Sequence, residues 1–291
     1  MTPPSEAAPS SALREVLGVY ALVWVATFAL SQTAPVPVLG DHRGELVGLL
    51  FLAVAMTLGT RFGLERAGLT LGGLMLPATA PTPFEEATRP LSRHDVPDHA
   101  QPDGEPPHEA DSPRPPRHDV LGLLDLAHGV RTALPSALRE TGAALLVALV
   151  VFPPFVVGFY FYTEPLRPFA WEGVVGTPAQ LLTWAELLLG QLLVVALPEE
   201  AFFRGYVQSR LAGAAHATDP RLRAPAVIVG QAVLFALVHL ASVFHVVRLA
   251  VFFPGLLFGL IRAWRGGIGA ALVFHALCNL LSEVLTRGWL S

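Results

Sequence analysis

The sequence contains no lysine: all nineteen of its basic residues are arginine. Schiff-base chemistry and a Ser-Lys protease dyad are therefore excluded. A single cysteine, Cys278, excludes an intramolecular disulfide and a multi-cysteine metal site, and reads as a small core residue. Charge is scarce as well. Only 14% of the 291 residues are charged, where a soluble domain carries about a quarter. The net charge of −4 comes without a basic stripe interleaved with aromatics, so no nucleic-acid partner is expected. What is abundant is apolar: 53% of residues are hydrophobic, too many to leave a water-compatible surface. The chain reads as a lipid-embedded protein.

The pattern predicts an all-α fold, a polytopic transmembrane bundle of about seven spans. Residues 1–12 read as a disordered tail, and residues 13–76 as two N-terminal spans, Leu13 to Leu30 and Leu46 to Thr60. The first of these reads as a signal anchor rather than a cleaved leader, for want of a cleavage site. Residues 77–119 hold eleven of the twenty-six prolines among charged residues and read as a disordered insertion. Its His94, His99, His108 and His118 are too irregularly spaced to suggest a metal site. After an amphipathic segment from Val120 to Leu134, apolar runs follow at Thr141 to Phe161, Gln180 to Pro198, Ala224 to Ala241, Phe244 to Ala263 and Gly267 to Leu285. Each approaches the length of about twenty residues that crosses a hydrocarbon core as a helix. Span four is expected to run on past Glu199 to about Leu211, with Pro198 as a kink.

Arginine places the loops. It is concentrated between spans two and three, four and five, and six and seven, which by the positive-inside rule puts the N-terminus inside and the C-terminus outside. This arrangement sets up a conflict. Glu199 stands near the cytoplasmic end of span four, while His239 lies about fifteen residues into span five. Either span five extends beyond the bilayer or the span boundaries shift.

Three clusters of polar residues interrupt the apolar runs. In Pro198-Glu199-Glu200-Ala201-Phe202-Phe203-Arg204-Gly205, an ionised group at a helix centre costs about 2.5–3.5 kcal/mol on translocon scales, so it demands a partner or a wet cavity. Glu200 and Arg204 are spaced i, i+4 and can pair, leaving Glu199 free. The same carboxylates could instead mark an interfacial helix end. Phe235 and His239 share one face of span five, and His275 and Asn279 share one face of span seven; each pair alone could be packing glue. Together they supply a base, two imidazoles and a carboxamide on three helices. Peptide hydrolysis needs that inventory, a base to activate water and donors to hold an oxyanion.

Glu-Glu-x-x-x-Arg at Glu199 to Arg204, Phe-x-x-x-His at Phe235 to His239, and His-x-x-x-Asn at His275 to Asn279 stand in the order of a known family. Over residues 140–287 the sequence resembles the CPBP family of intramembrane proteases, the CAAX protease and bacteriocin-processing enzymes also called Abi. The first two spans and the insertion are not part of the resemblance. It implies that Glu199 and His239 activate water, that His275 and Asn279 form the oxyanion hole, and that Glu200, Arg204 and Phe235 support them. No metal is firmly implied, although Glu199, His239 and His275 could ligate zinc in principle. The expected partners are the lipid bilayer and a membrane-anchored or C-terminally anchored protein substrate. The arginine-only, Ala/Leu/Pro-rich composition suggests a GC-rich bacterial genome, hence an inner (cytoplasmic) membrane and an exported or anchored substrate rather than a prenylated one.

Other protease chemistries fail on inspection. There is no His-Glu-x-x-His pair, no Gly-x-Ser-x-Gly elbow, and no aspartate within the catalytic spans. Two non-protease readings stay open: an immunity-like or scaffolding membrane protein in which the polar residues pin helices together, and a proton relay or transporter.

Overall fold

The computed structural model describes residues 9–33, 36, 38, 40–62, 67, 69, 123–163, 168–175 and 177–290. The proline-rich insertion at 77–119 and its four histidines lie outside the described residues, as do residues 1–8 of the N-terminal tail. Among the described residues the structure is all-helical, with seven long helices. They are α1 (Pro9–Ser31), α2 (Arg43–Phe62), α3 (Leu123–Tyr162), α4 (178–211), α5 (Pro225–Ser242), α6 (Phe252–Arg265) and α7 (Gly269–Trp289). Six helical segments are long and apolar enough to cross a bilayer. The seventh, α2, is 20 residues long and carries Glu45 and Arg61 at its ends.

Two boundaries differ from the sequence reading. The amphipathic segment and span three fuse into the single 40-residue α3, which runs through Pro135, Pro153 and Pro154. Span six does not begin as an α-helix at Phe244: residues 243–245 precede a 3₁₀ turn, Val246–Val251, and α6 starts at Phe252. Span four is indeed continuous to Leu211. Its start is fixed by a capping box in which Thr177 and Gln180 satisfy each other's backbone N–H groups, with Pro178 in the first turn, where its missing N–H costs nothing.

Continuity of α4 removes the depth conflict. Glu199 lies 12 residues before Leu211, and His239 lies 14 residues after Pro225. At 1.5 Å per residue these are depths of about 18 and 21 Å from the same end of the bundle.

That end carries a set of arginine contacts. Arg210 of α4 pairs with Glu15 of α1 at 2.5 Å, and Arg265 of α6 pairs with Glu140 of α3 at 2.6 Å. Arg262 donates to the Ala217 carbonyl at 2.8 Å, which ties α6 to the 212–224 loop. Gly266 ends α6 at φ +77, and a Cβ there would stand 2.7 Å from Thr218, so only glycine serves. The core at mid-depth is aromatic. Phe51 stacks on Phe202, Phe203 meets Phe235 edge-on, and Phe258 meets Phe274 edge-on. Large apolar side chains such as Leu22, Leu149, Leu181 and Leu193 face outward, as a lipid-facing surface requires.

Candidate active site

The two carboxylates sit on an irregular helix. Within α4, Gln191–Ala196 and Ala201–Val207 are π-helical, flanking the α-helical turn Leu197–Glu200. The Leu197 N–H reaches back to Leu192 and the Gln208 N–H to Phe203, each one residue farther than in an α-helix. Such bulges concentrate at functional sites. Pro198 contributes to the first, because it has no N–H to give the Val194 carbonyl. Gly48 of α2 closes against that carbonyl so tightly that a Cβ would stand 2.7 Å from it. Thus Pro198 accompanies a change of pitch.

Glu200 and Arg204 are fully buried and paired at 2.9 Å. The same Glu200 oxygen, Oε1, lies 2.9 Å from Nδ1 of His275 on α7. A carboxylate can only accept, so Nδ1 carries the proton and Nε2 is left free to act. That Nε2 stands 3.7 Å from Oε2 of Glu199, close enough for electrostatic coupling but too long for a hydrogen bond. One imidazole therefore touches both glutamates. Its ring is held in place by stacking on Phe258 at 4.5 Å.

His239 is fixed by similar logic. Its Nδ1 lies 2.8 Å from the Phe235 carbonyl and so carries a proton, leaving Nε2 available. Its ring meets Phe235 edge-on at 4.7 Å, and Phe235 in turn meets His275 at 6.0 Å. No hydrogen bond or ion pair joins His239 to Glu199; among the described residues, the imidazole nearest that carboxylate is His275. Asn279, one turn beyond His275, donates from Nδ2 to Oε1 of Gln191 at 2.8 Å. The expected residues thus gather around Phe235 and His275, with Asn279 at the margin.

Arg204 is supported from below. Its guanidinium lies over the rings of Phe235 and Phe258 at 4.3 and 4.8 Å and donates to the Gly255 carbonyl. Gln231 donates to the same carbonyl and to that of Ile228, while Gln208 donates to Leu222 and Gly259. A Cβ on Gly259 would strike the Gln231 amide, and one on Gly255 would come within 3.0 Å of Phe235. Two glycines spaced i, i+4 therefore let α6 approach the charged layer. Near the site itself, Glu199 Oε2 and Glu200 Oε2 are buried without a hydrogen-bond partner. A water or substrate donor would satisfy them.

Among the described residues, no group of three or more His, Cys, Asp or Glu side chains is gathered to hold a metal ion. The Nδ1 atoms of His239 and His275 turn to the Phe235 carbonyl and to Glu200, which leaves Nε2 of each ring as the nitrogen a metal ligand would use. Sequence reasoning missed Gln191, Gln208, Gln231, Gly255 and Phe258. Gln191 and Gln231 were visible as uncharged polar residues inside apolar runs, the same signal that marked Asn279. Phe258, one of seventeen phenylalanines, carried none.

Residues 180–281, which hold all three motifs, match the family described as Type II CAAX prenyl endopeptidase Rce1-like. This core resembles the CAAX-protease family. No curated protein and no solved structure matches the chain. The CAAX-protease match begins within α4 and ends within α7, so it takes in every element that carries Glu199, His239, His275 and Asn279, and excludes α1 and α2.

Proposed function

We propose that the chain is an intramembrane endopeptidase that hydrolyses a peptide bond in a membrane-anchored or exported protein, and that residues 140–287 form its protease core. The observation that carries this reading is the Glu199–His275–Glu200–Arg204 cluster, a partnerless carboxylate oxygen facing a free imidazole nitrogen inside an apolar bundle. Glu199 takes the proton of the attacking water, and His239, with Nε2 free, shares that proton's transfer. Glu200 orients His275, as a carboxylate orients the imidazole of a hydrolase triad. Two carboxylates and one guanidinium leave the cluster one negative charge in excess, so positive charge developing on an imidazole is stabilised there. Asn279 and His275 face the oxyanion: with Nδ1–H given to Glu200, His275 donates from Nε2 as the imidazolium that this excess negative charge stabilises, and one Asn279 N–H is held by Gln191, which sets the orientation of the other.

The test is in cells. With Glu199→Ala at a membrane level equal to wild type, C-terminal proteomics should show unprocessed anchored proteins accumulating. A profile that changes on deletion of the whole chain but not in Glu199→Ala would favour a scaffolding role instead.

A further inference from the structure

The site is closed on one side and open on the other. Toward the arginine-bearing end, Arg204, Gln208, Gln231 and Arg262 are each 0% exposed, and Phe258 and Ile268 each 1%. This layer, cross-linked by the amide and guanidinium bonds to Gly255, Gly259, Leu222 and Ala217, seals the carboxylates from the 212–224 loop. Toward the opposite end, Gln191, His239 and Asn279 are all partly exposed. There α5 stops at Ser242, three residues after His239, and α6 begins at Phe252, three before Gly255. Their connection is accordingly level with the site and exposed, with Phe244 at 86%. Meanwhile α4 runs 21 residues from Glu199 back to Pro178, and α7 runs 14 residues from His275 on to Trp289. These are walls of about 31 and 21 Å.

The sealed end is also the arginine-rich end. Arg210, Arg221, Arg223, Arg262 and Arg265 lie there, with Arg14 and Arg139 beside the Glu15 and Glu140 that pair across it. The open end has Arg43, Arg248, and Arg287, the last paired with Glu283. The positive-inside rule keeps the richer end in the cytoplasm.

We propose that the catalytic recess is entered from the arginine-poor, extracytoplasmic side, over the α5–α6 connection, and that its substrate is an exported polypeptide held at the outer leaflet by a membrane anchor. The substrate class rests on the endopeptidase reading; the direction of access does not.

The experiment uses three single-cysteine forms of the full chain in a Cys278→Ala background: Phe244→Cys at the open end, His216→Cys at the arginine end, and Gln191→Cys in the recess. Each is treated with a membrane-impermeant maleimide in spheroplasts and in inverted vesicles. The expected result is that Gln191→Cys and Phe244→Cys label in spheroplasts and His216→Cys only in inverted vesicles. The proposal is overturned if Gln191→Cys labels only together with His216→Cys, if it labels from neither side, or if His216→Cys labels in spheroplasts. Labelling does not require activity, so extracytoplasmic access combined with no effect of Glu199→Ala would sink the protease reading and leave the access route standing.

Discussion

Replacing Arg204 by methionine would leave Glu200 charged, fully buried and without its guanidinium. Breaking a buried pair from one side costs about 3–5 kcal/mol, and the guanidinium contacts over Phe235 and Phe258 are lost with it. For a chain of this size, at about 2–4 °C per kcal/mol, the unfolding midpoint should fall by roughly 6–20 °C. Methionine packs well against aromatic rings, so the loss should come from the stranded charge rather than from a void. Removing that charge too, in Arg204→Met/Glu200→Leu, should restore most of the midpoint, because a buried pair replaced by apolar groups of similar volume is often neutral. Activity should stay lost, since His275 no longer has the oxygen that fixes its Nδ1. The assay is tryptophan-fluorescence melting in detergent for wild type, both single variants and the double. If Arg204→Met melts with wild type, or the double melts no higher than the single, the reasoning about the buried pair is refuted.

Gln191→Leu should lower turnover by about tenfold or more, within what loss of an oriented oxyanion donor costs, while leaving the melting midpoint near wild type; an equal loss of both would make Gln191 structural. Gly266→Ala should destabilise by about 1 kcal/mol or more, because φ is positive there and Thr218 crowds the Cβ, as read from the same melts. Asp219, outside the spans, has its carboxyl held far below the ordinary range, mainly by the Arg221 hydrogen bond. A depressed carboxyl stabilises the fold above its unfolded value and loses that contribution as pH falls through the folded one. Asp219→Asn should therefore melt lower than wild type at pH 7, and the gap should narrow below about pH 4.

Much of this site was legible because ionisable residues inside apolar runs are expensive and so stand out. Glu199, Glu200, Arg204, His239 and His275 were each found this way, and the i, i+4 spacing of Glu200 and Arg204 forecast their pair. Periodicity could not show which histidine meets Glu199, since that depends on two π-helical segments whose extra residue leaves no mark in composition. Nor could it show where α6 begins, because the 3₁₀ turn Val246–Val251 is as apolar as the helix it precedes. Gly255 and Gly259 matter through what presses on them from α5, a contact between helices that a single chain pattern does not encode.

The most direct test of Glu199-dependent peptide hydrolysis is to reconstitute the full chain with membranes from its own host, depleted of the chromosomal copy, in ¹⁸O-labelled water. Wild-type protein is predicted to generate new protein C-termini carrying one ¹⁸O, and Glu199→Gln, folded to the same melting midpoint, to generate none. Equal ¹⁸O-labelled C-termini from both proteins, or none from either, would contradict the account.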